Sequence, residues 1–400
     1  MVETLMFLGA SPTQIAPIAY ARRMGYRILT VDNRADNPGH RLADLSFDIS
    51  TRSYLEIYEL AKANNVNGVV AYASDPAAFT AAYVSQKLGL PGHNPDTVEI
   101  MTDKVKWRSF LKSIGEITPQ YIEVKSWGEI YDAGQIFPEN FFVKPLDSSG
   151  SKGITELRPD FSRRSAERAW LRAISYSSKS TVILEKKIIR SGPQVAGDGF
   201  LSGGNLVHTF LGDENFNSQL SGIVPVGQTF PSTHPDSRLL KAKGRLQKVI
   251  KKLELQSGAL NFDFVFDEDG MTHILEIGPR NGGCRIPEVA LLSTGVNMIS
   301  ATVEVSLGRD SGVRDSNILI PWGTYMIHSP KAGSFLGLNE ACESRQLLRE
   351  LDIWLGLDEK VKAYFGSDNA IGSALLKLDD TNDTPASVVE DLNRNLVLLK

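Results

Sequence analysis

The chain has 400 residues and a formal net charge of −4, from 43 basic and 47 acidic side chains. At roughly 150 residues per domain this length suggests two or three domains, and the slight acidity argues against a nucleic-acid binder, which leaves a basic footprint. Two cysteines, Cys284 and Cys342, supply neither a disulfide framework nor metal-ligand spacing and fit a reducing compartment. The opening MVETLMFLGASP lacks a basic n-region and a long apolar run, so no secretory signal is expected. No stretch approaches about 18 uninterrupted apolar residues, so no membrane span is expected and the cytoplasm is the default location.

Residues 4–8 are a short apolar run ending in Gly9-Ala10-Ser11-Pro12. A helix follows to Arg23, with Pro17 removing one of its hydrogen bonds, and residues 27–31 are a second strand ending in Asp32. This β-turn-α-β opening is that of a doubly wound sheet. Gly9-Ala10-Ser11 lacks the G-x-G-x-x-G spacing, which disfavours a dinucleotide site with Asp32 on a ribose. A helix at 54–63, a strand at 68–72 and a helix at 76–88 extend the unit to about Gly92. A single helix is expected over 97–113, carrying Asp103-Lys104 and Trp107-Arg108. Strands follow at 121–124 and at Phe141-Phe142-Val143-Lys144-Pro145, then a loop at 147–153 and another strand from Ile154. A helix at 162–174 leads to a strand at 181–184 that runs into Glu185-Lys186-Lys187-Ile188. Strand patterns continue to about Phe210. A helix at 239–253 has a basic face, read as solvated. After a hairpin and a helix at 287–292, the stretch from about 317 alternates short strands and helices, with its one long helix at 385–395.

The hairpin, residues 258–283, is GALNFDFVFDEDGMTHILEIGPRNGG. With a two-residue turn at Asp269-Gly270, Asp263 and Glu276 stand opposite each other. Asn261, Asp263 and Val265 then share a face with Ile274, Glu276 and Gly278, and Phe262, Phe264, Phe266, Leu275 and Ile277 form the core face. Two carboxylates so placed repel, with Cβ atoms about 5 Å apart. A hard cation such as Mg²⁺, which takes carboxylate oxygens plus substrate phosphates, is one remedy. Arg280 continues the parity of Glu276, beside Asn281, Gly282 and Gly283, whose N–H groups suit an anion. A solvated acidic hairpin is the alternative.

The loop Ser148-Ser149-Gly150-Ser151-Lys152-Gly153 lacks P-loop spacing. Its backbone and hydroxyl donors can still close over phosphates and exclude water, with Lys144 beneath as a point charge. A polar surface hairpin is the plainer explanation of the loop alone. Extended backbone at Glu185-Lys186-Lys187-Ile188 suits the edge of an adenine ring, with Lys186 supplying a side chain; Gln194 and Asp198 are candidates for a ribose. Arg285 is a candidate for a substrate carboxylate. Lys104 alone would be a solvated lysine. No H-E-x-x-H and no G-x-S-x-G is present, which argues against a zinc protease or a serine hydrolase.

Taken together and in this order, these elements resemble the ATP-grasp superfamily: a lysine before the central domain, a strand lysine with a Gly/Ser loop, a Glu-Lys hinge, and a hairpin ending E-x-x-P-R-x-G-G. KPLDSSGSKGI is similar to the family's strand–loop pattern, LEIGPRNGG to its metal-binding strand, and GALNFDF to a strand of the carbamoyl phosphate synthetase large chain. The resemblance implies an α/β and α+β architecture, with a Rossmann-like domain over 1–95, a two-lobed ATP-grasp domain over 96–310 and a small C-terminal domain over 311–400, as in L-amino acid ligases. It implies that Lys104 and Lys144 bind ATP phosphates and that Ser149, Gly150, Ser151, Lys152 and Gly153 form a lid. Glu185, Lys186 and Ile188 would hold adenine, Asp263 and Glu276 would hold Mg²⁺ (or Mn²⁺), and Arg280 would stabilise the transferring phosphoryl group. Two positions depart from the pattern: Gly278 stands where the family often has the asparagine of E-x-N, and Gln194 where it has a ribose-binding carboxylate.

The implied activity is ATP-dependent ligation of a small-molecule carboxylate to an amine through an acyl phosphate, in a possible homodimer. A bicarbonate-phosphorylating carboxylase or carbamoyl phosphate-type enzyme is one alternative. A nucleotide-binding protein with impaired catalysis is another, and a nicotinamide-dependent dehydrogenase on the first domain is the weakest.

Overall fold

A computed structural model describes residues 2–148, 150–220 and 222–400. Four short strands, β1 (Thr4–Leu8), β2 (Arg27–Asp32), β3 (Leu45–Asp48) and β4 (Gly68–Ala71), pair in parallel in the order β3-β2-β1-β4. Helices α1 (Ile15–Arg23), α2 (Tyr54–Ala63) and α3 (Asp75–Leu88) connect and flank them. β1 is buried along its whole length, as a strand covered on both faces must be, and so reads as an unbroken apolar run. Pro17 falls in the first turn of α1, where its missing N–H has no intrahelical partner to lose, so the expected cost does not arise. Asp32 accepts the Ala10 and Arg34 amides at 2.9 and 3.0 Å and so fastens the loop after β1.

The single helix expected over 97–113 is two, α4 (Pro95–Thr102) and α5 (Lys104–Ser113). Asp103 breaks them apart: its backbone is extended, and its side chain caps α5 by accepting the Val105 and Lys106 amides at 3.0 Å. Lys104 is therefore the first residue of a helix rather than a mid-helix lysine.

A second sheet, antiparallel, contains β5 (Tyr121–Val124), β6 (Phe141–Pro145), β7 (Thr155–Leu157) and β8 (Val182–Lys186) in the order β5-β8-β6-β7, with α6 (Trp127–Gly134) and α7 (Arg163–Ile174) packed on one face. The large sheet follows. β9 (Val195–Ser202), β10 (Asn205–Phe216) and β11 (Pro225–Phe230) precede α8 (Asp236–Lys252), and β12 (Gly258–Phe266) and β13 (Thr272–Gly278) follow it. Then come α9 (Ile286–Thr294), α10 (Met298–Ser306), β14 (Trp322–Ile327), β15 (Gly333–Leu338), β16 (Leu348–Ile353), β17 (Lys360–Val361), β18 (Gly372–Lys377), α11 (Pro385–Asn395) and β19 (Val397–Leu399).

The eight-stranded order is β13-β12-β9-β10-β11-β14-β18-β16, so one sheet runs from the hairpin into the C-terminal segment. β15, β17 and β19 make a small sheet of their own. α8 closes the core over Phe262, Phe264, Phe266 and Ile277. α10, which local pattern did not foretell, lays Ile299 and Val303 against Leu5, Phe7 and Val70 of the first sheet. Among the described residues no single helix is long and apolar enough to cross a membrane.

The hairpin has the expected opposition for an unexpected reason. Its loop holds three residues rather than two: Asp267 pairs with Met271, and Gly270, at φ 75°, takes the left-handed position that such a loop needs. That moves the register by one. A bulge at Leu275 moves it back, so Phe264 faces Ile274 while Asp263 faces Glu276. Ile274 and Leu275 consequently exchange the faces assigned to them. Ile274 joins the core, and Leu275 faces a cavity.

Candidate active site

A cavity of about 390 Å³ lies between the second sheet and the hairpin. One wall is β6. Its pleat sends Phe141 and Val143 into the core and Phe142 and Lys144 to the cavity, the period-two alternation of a half-buried strand. Lys144 donates to Glu185 on β8, and Arg108 on α5 donates to the other oxygen of the same carboxylate at 2.8 Å. Burial would raise the Glu185 pKa, but the Arg108 and Lys144 charges and hydrogen bonds hold it down at about 2. Burial lowers the Lys144 pKa, and Glu185 is the main group that opposes this. The same Arg108 donates to the Leu275 carbonyl at 2.7 Å, and Trp107 Nε1 donates there at 2.9 Å. The bulge that keeps Asp263 opposite Glu276 is thus fastened by α5.

The opposite wall carries the carboxylates. Asp263 and Glu276 face each other across β12 and β13, and Glu214, from β10 beyond β9, joins them at the cavity. Gln194 donates to Glu214. Burial, then the charges of Glu214 and Glu276, push Asp263 well above the usual carboxylate range. Burial, with a contribution from Glu276, pushes Glu214 up to about 7. Neither Asp263 nor Glu214 makes an ion pair among the described residues; the charges of Arg280 and Arg190 offset burial only in part, and a cation would complete the neutralisation. Among the described residues no three His, Cys, Asp or Glu side chains form a ready-made metal cage. Mg²⁺ does not require one, since it keeps several waters and takes one or two carboxylates plus substrate phosphates. The donor set fits that ion.

Lys104 ties the walls together, donating to the Ser148 carbonyl at 2.7 Å and lying 3.0 Å from Glu276 Oε1. Of the expected lid, Ser149 falls outside the described residues. Gly150, Ser151 and Lys152 line the cavity. Gly153 packs at the loop's far end, where a Cβ would come within 3.1 Å of Tyr176. Asp147 anchors the loop base by accepting from Ser177, Ser178 and Arg52, and Lys152 reaches Asp368 at 2.9 Å. At the hinge, the Lys186 and Lys187 amides are already paired with the Gln120 and Asn140 carbonyls, and the Lys186 side chain pairs with Glu139 at 3.2 Å. The Ile188 amide has no partner among the described residues and lies at the cavity wall.

Several expected positions hold different company. Glu185 turns its side chain to Arg108 and Lys144, and its backbone lies in the ladder between β5 and β6. Gln194 lines the cavity and donates to Glu214. Asp198 is away from the cavity; it accepts the Gly282 amide and Asn261 Nδ2, so it fastens the turn after β13. Arg280 is gripped by Asp75 of α3, at 2.8 and 2.6 Å, and donates to Asn261 at 2.9 Å. Its guanidinium lies over Gly278, where a Cβ would meet Cζ at 3.0 Å, so a side chain there would have to displace it. Arg285 pairs with Glu350 at 2.5 Å.

Arg108, Glu156, Arg190 and Glu214 are charged members of the cavity that sequence reading missed. Arg108 had a signal, since it stands four residues after Lys104 and so on the same helix face. Glu214 had none that spacing could supply, since it lies near the end of a strand only partly buried and next to a second acid, Asp213.

No protein-family model matches the chain. A curated relative, uncharacterized protein y4rH of Sinorhizobium fredii (strain NBRC 101917 / NGR234), is 24% identical over 259 residues, 63% of this chain and 51% of that protein. The chain thus spans about half the length of the curated relative it matches. Solved structures are similar over almost the whole chain. L-amino acid ligase from Bacillus licheniformis superposes with a TM-score of 0.80 at 18% identity, over 100% of this chain and 99% of that one. Phosphoribosylglycinamide synthetase from Anaerococcus prevotii gives 0.75 at 20%, over 100% of both chains. N5-carboxyaminoimidazole synthetase from Staphylococcus aureus, complexed with ADP, gives 0.75 at 16%, over 98% of this chain and 97% of that one.

Proposed function

We propose, from the ATP-grasp fold that this chain has, that it is an ADP-forming carboxylate–amine ligase. In this reading the γ-phosphoryl of ATP passes to a substrate carboxylate, giving an acyl phosphate and ADP. An amine then attacks the acyl carbon, the C–N bond forms, the C–O bond to phosphate breaks, and phosphate leaves. The observation that carries it is one cavity with Lys104 and Lys144 beside three carboxylates, of which Asp263 and Glu214 are held above the usual carboxylate range and Glu276 is paired with Lys104. Its volume of about 390 Å³ suits a ligand of nucleotide size, and the unpartnered Ile188 amide suits an adenine edge.

Mg²⁺ held by Asp263 and Glu276, with Glu214 in reach, would neutralise phosphate charge. Lys144 and Lys104 would neutralise the remaining phosphate oxygens, and Glu185 keeps Lys144 protonated in its buried setting. Gly150–Gly153 would close over the phosphates and keep water from the acyl phosphate. Arg280 is a phosphoryl-stabilising group in this scheme only after it leaves Asp75. The division into units at 1–95, 96–310 and 311–400 belongs to the same reading.

A bicarbonate-activating enzyme is the second reading, favoured by the likeness to the carboxyaminoimidazole synthetase. ADP release from Mg-ATP with pooled carboxylates and amines, beside a Glu276→Gln control, separates the two. Release that needs both pools and vanishes in the control supports ligation. Release that needs only bicarbonate and an amine supports the second reading. Failure to bind ATP defeats both.

A further inference from the structure

Most cations on the cavity wall already have an acid. Lys104 pairs with Glu276, Arg108 and Lys144 with Glu185, Lys152 with Asp368, Lys186 with Glu139 and Lys187 with Glu156. Arg190 lines the same cavity, and among the described residues its side chain makes neither an ion pair nor a hydrogen bond. It is held in place all the same. Its backbone bridges to Asp267, just past β12, and the next amide, that of Ser191, donates to the Phe266 carbonyl at 2.8 Å. Its guanidinium lies over the Phe216 ring, 5.7 Å from the ring centre, within cation–π reach.

Phe216 and Glu214 stand two apart on β10, and both face the cavity. Laying Arg190 on Phe216 therefore sets it beside Glu214. Burial raises the Glu214 pKa to about 7, and the Arg190 charge pulls against that. The two nonetheless form no ion pair among the described residues. Glu214 accepts from Gln194 and Gln228 instead, and Arg190 rests on the ring. An acid and a base left unpaired on one cavity cannot both be satisfied by a ligand of one sign. A phosphate carried with its metal ion has both signs. The metal takes carboxylate oxygens together with phosphate oxygens, and the planar guanidinium fork fits phosphate bidentately, where a lysine would offer only a point charge.

We propose that Arg190 binds the phosphate chain of the nucleotide, beside the metal ion that Glu214 reaches. That the phosphates belong to a nucleotide rests on the ATP reading of the cavity; the anion site itself does not.

The test is titration calorimetry on the full chain in Mg²⁺, with ATP, inorganic tripolyphosphate and adenosine as separate ligands. Arg190 is exposed and unpaired, so its variants should fold as the unaltered chain does. The expected result is that Arg190→Gln weakens ATP and tripolyphosphate roughly tenfold or more, the loss of a hydrogen-bonded charge, and adenosine by less than about twofold. Arg190→Lys keeps the charge but not the fork and should fall between. Lys241→Gln, which removes an equal charge from the exposed face of α8, should leave all three within about twofold. Unchanged ATP and tripolyphosphate binding in Arg190→Gln overturns the proposal, and so does an equal loss for adenosine. Where adenosine binds too weakly to measure, tripolyphosphate decides. If the unaltered chain binds tripolyphosphate but not ATP, the ATP reading fails and the Arg190 comparison still decides the anion site. Binding of neither overturns both.

Discussion

Replacing Glu185 by Gln removes the one negative charge from a buried set that otherwise contains two cations, Arg108 and Lys144. The Arg108 and Glu185 side chains are each 2% exposed, so water cannot take over the neutralisation. Removing one partner of a buried ion pair costs roughly 3–5 kcal/mol. The titration of the acid offers a separate figure. Its pKa is about 2 in the folded chain against 4.5 for an unperturbed glutamate, which at 1.36 kcal/mol per unit is about 3 kcal/mol. Glutamine still accepts one hydrogen bond, so the lower figure applies. The pKa is depressed, so this stability is fully present above about pH 4.5 and is lost as pH falls toward 2. At neutral pH the melting temperature of Glu185→Gln should therefore fall by roughly 4 °C.

A second effect follows at Lys144. Burial lowers its pKa, and Glu185 is the main group acting against that. Without the carboxylate the amine gives up its proton more readily, so ATP affinity in the variant should decline more steeply than in the unaltered chain as pH rises from 7 to 9. Calorimetric melting at pH 7 and ATP titrations at pH 7, 8 and 9 measure both effects. A melting temperature within about 1 °C of the unaltered chain, together with parallel pH profiles for ATP, would refute the account of this network.

The carboxylates on the facing wall predict the opposite pH dependence. Asp263 and Glu214 have raised pKa values in the folded chain, so without metal their ionisation removes stability as pH rises, for Glu214 from about 4.5 to about 7. Added Mg²⁺ should stabilise the chain more at pH 8 than at pH 5, and Asp263→Asn should abolish most of that difference. A pH-independent Mg²⁺ effect in thermal melts would count against the metal site. Gly278→Asn should push the Arg280 guanidinium off Asp75, because a Cβ there meets Cζ at 3.0 Å. The expected outcome is a loss of about 1–3 kcal/mol in stability with tighter Mg²⁺ binding by calorimetry; an unchanged melting temperature and Mg²⁺ midpoint would contradict it.

Much of this architecture follows from rules that act between near neighbours in the chain. The period-two pleat of β6 was enough to aim Lys144 away from the core, and the unbroken apolar β1 pointed to a sheet covered on both faces. The capping preference of Asp103 could have divided α4 from α5, but helical periodicity runs straight through the break and conceals it. In the hairpin, local rules reached the right pair of carboxylates by cancellation. The three-residue turn and the Leu275 bulge each shift the register by one, in opposite senses, and α5 holds the bulge through bonds to the Leu275 carbonyl. Turn chemistry is local, but a bulge is stabilised by what packs across it. The remaining members of the site lie beyond any local rule. Glu214 reaches Asp263 and Glu276 from beyond β9. Arg108 meets Glu185 across 77 residues, and Arg280 meets Asp75 across 205. Spacing along the chain says which face a side chain occupies. Which distant face it meets, and hence which charges are paired and which are left wanting a cation, depends on how the sheets and helices pack.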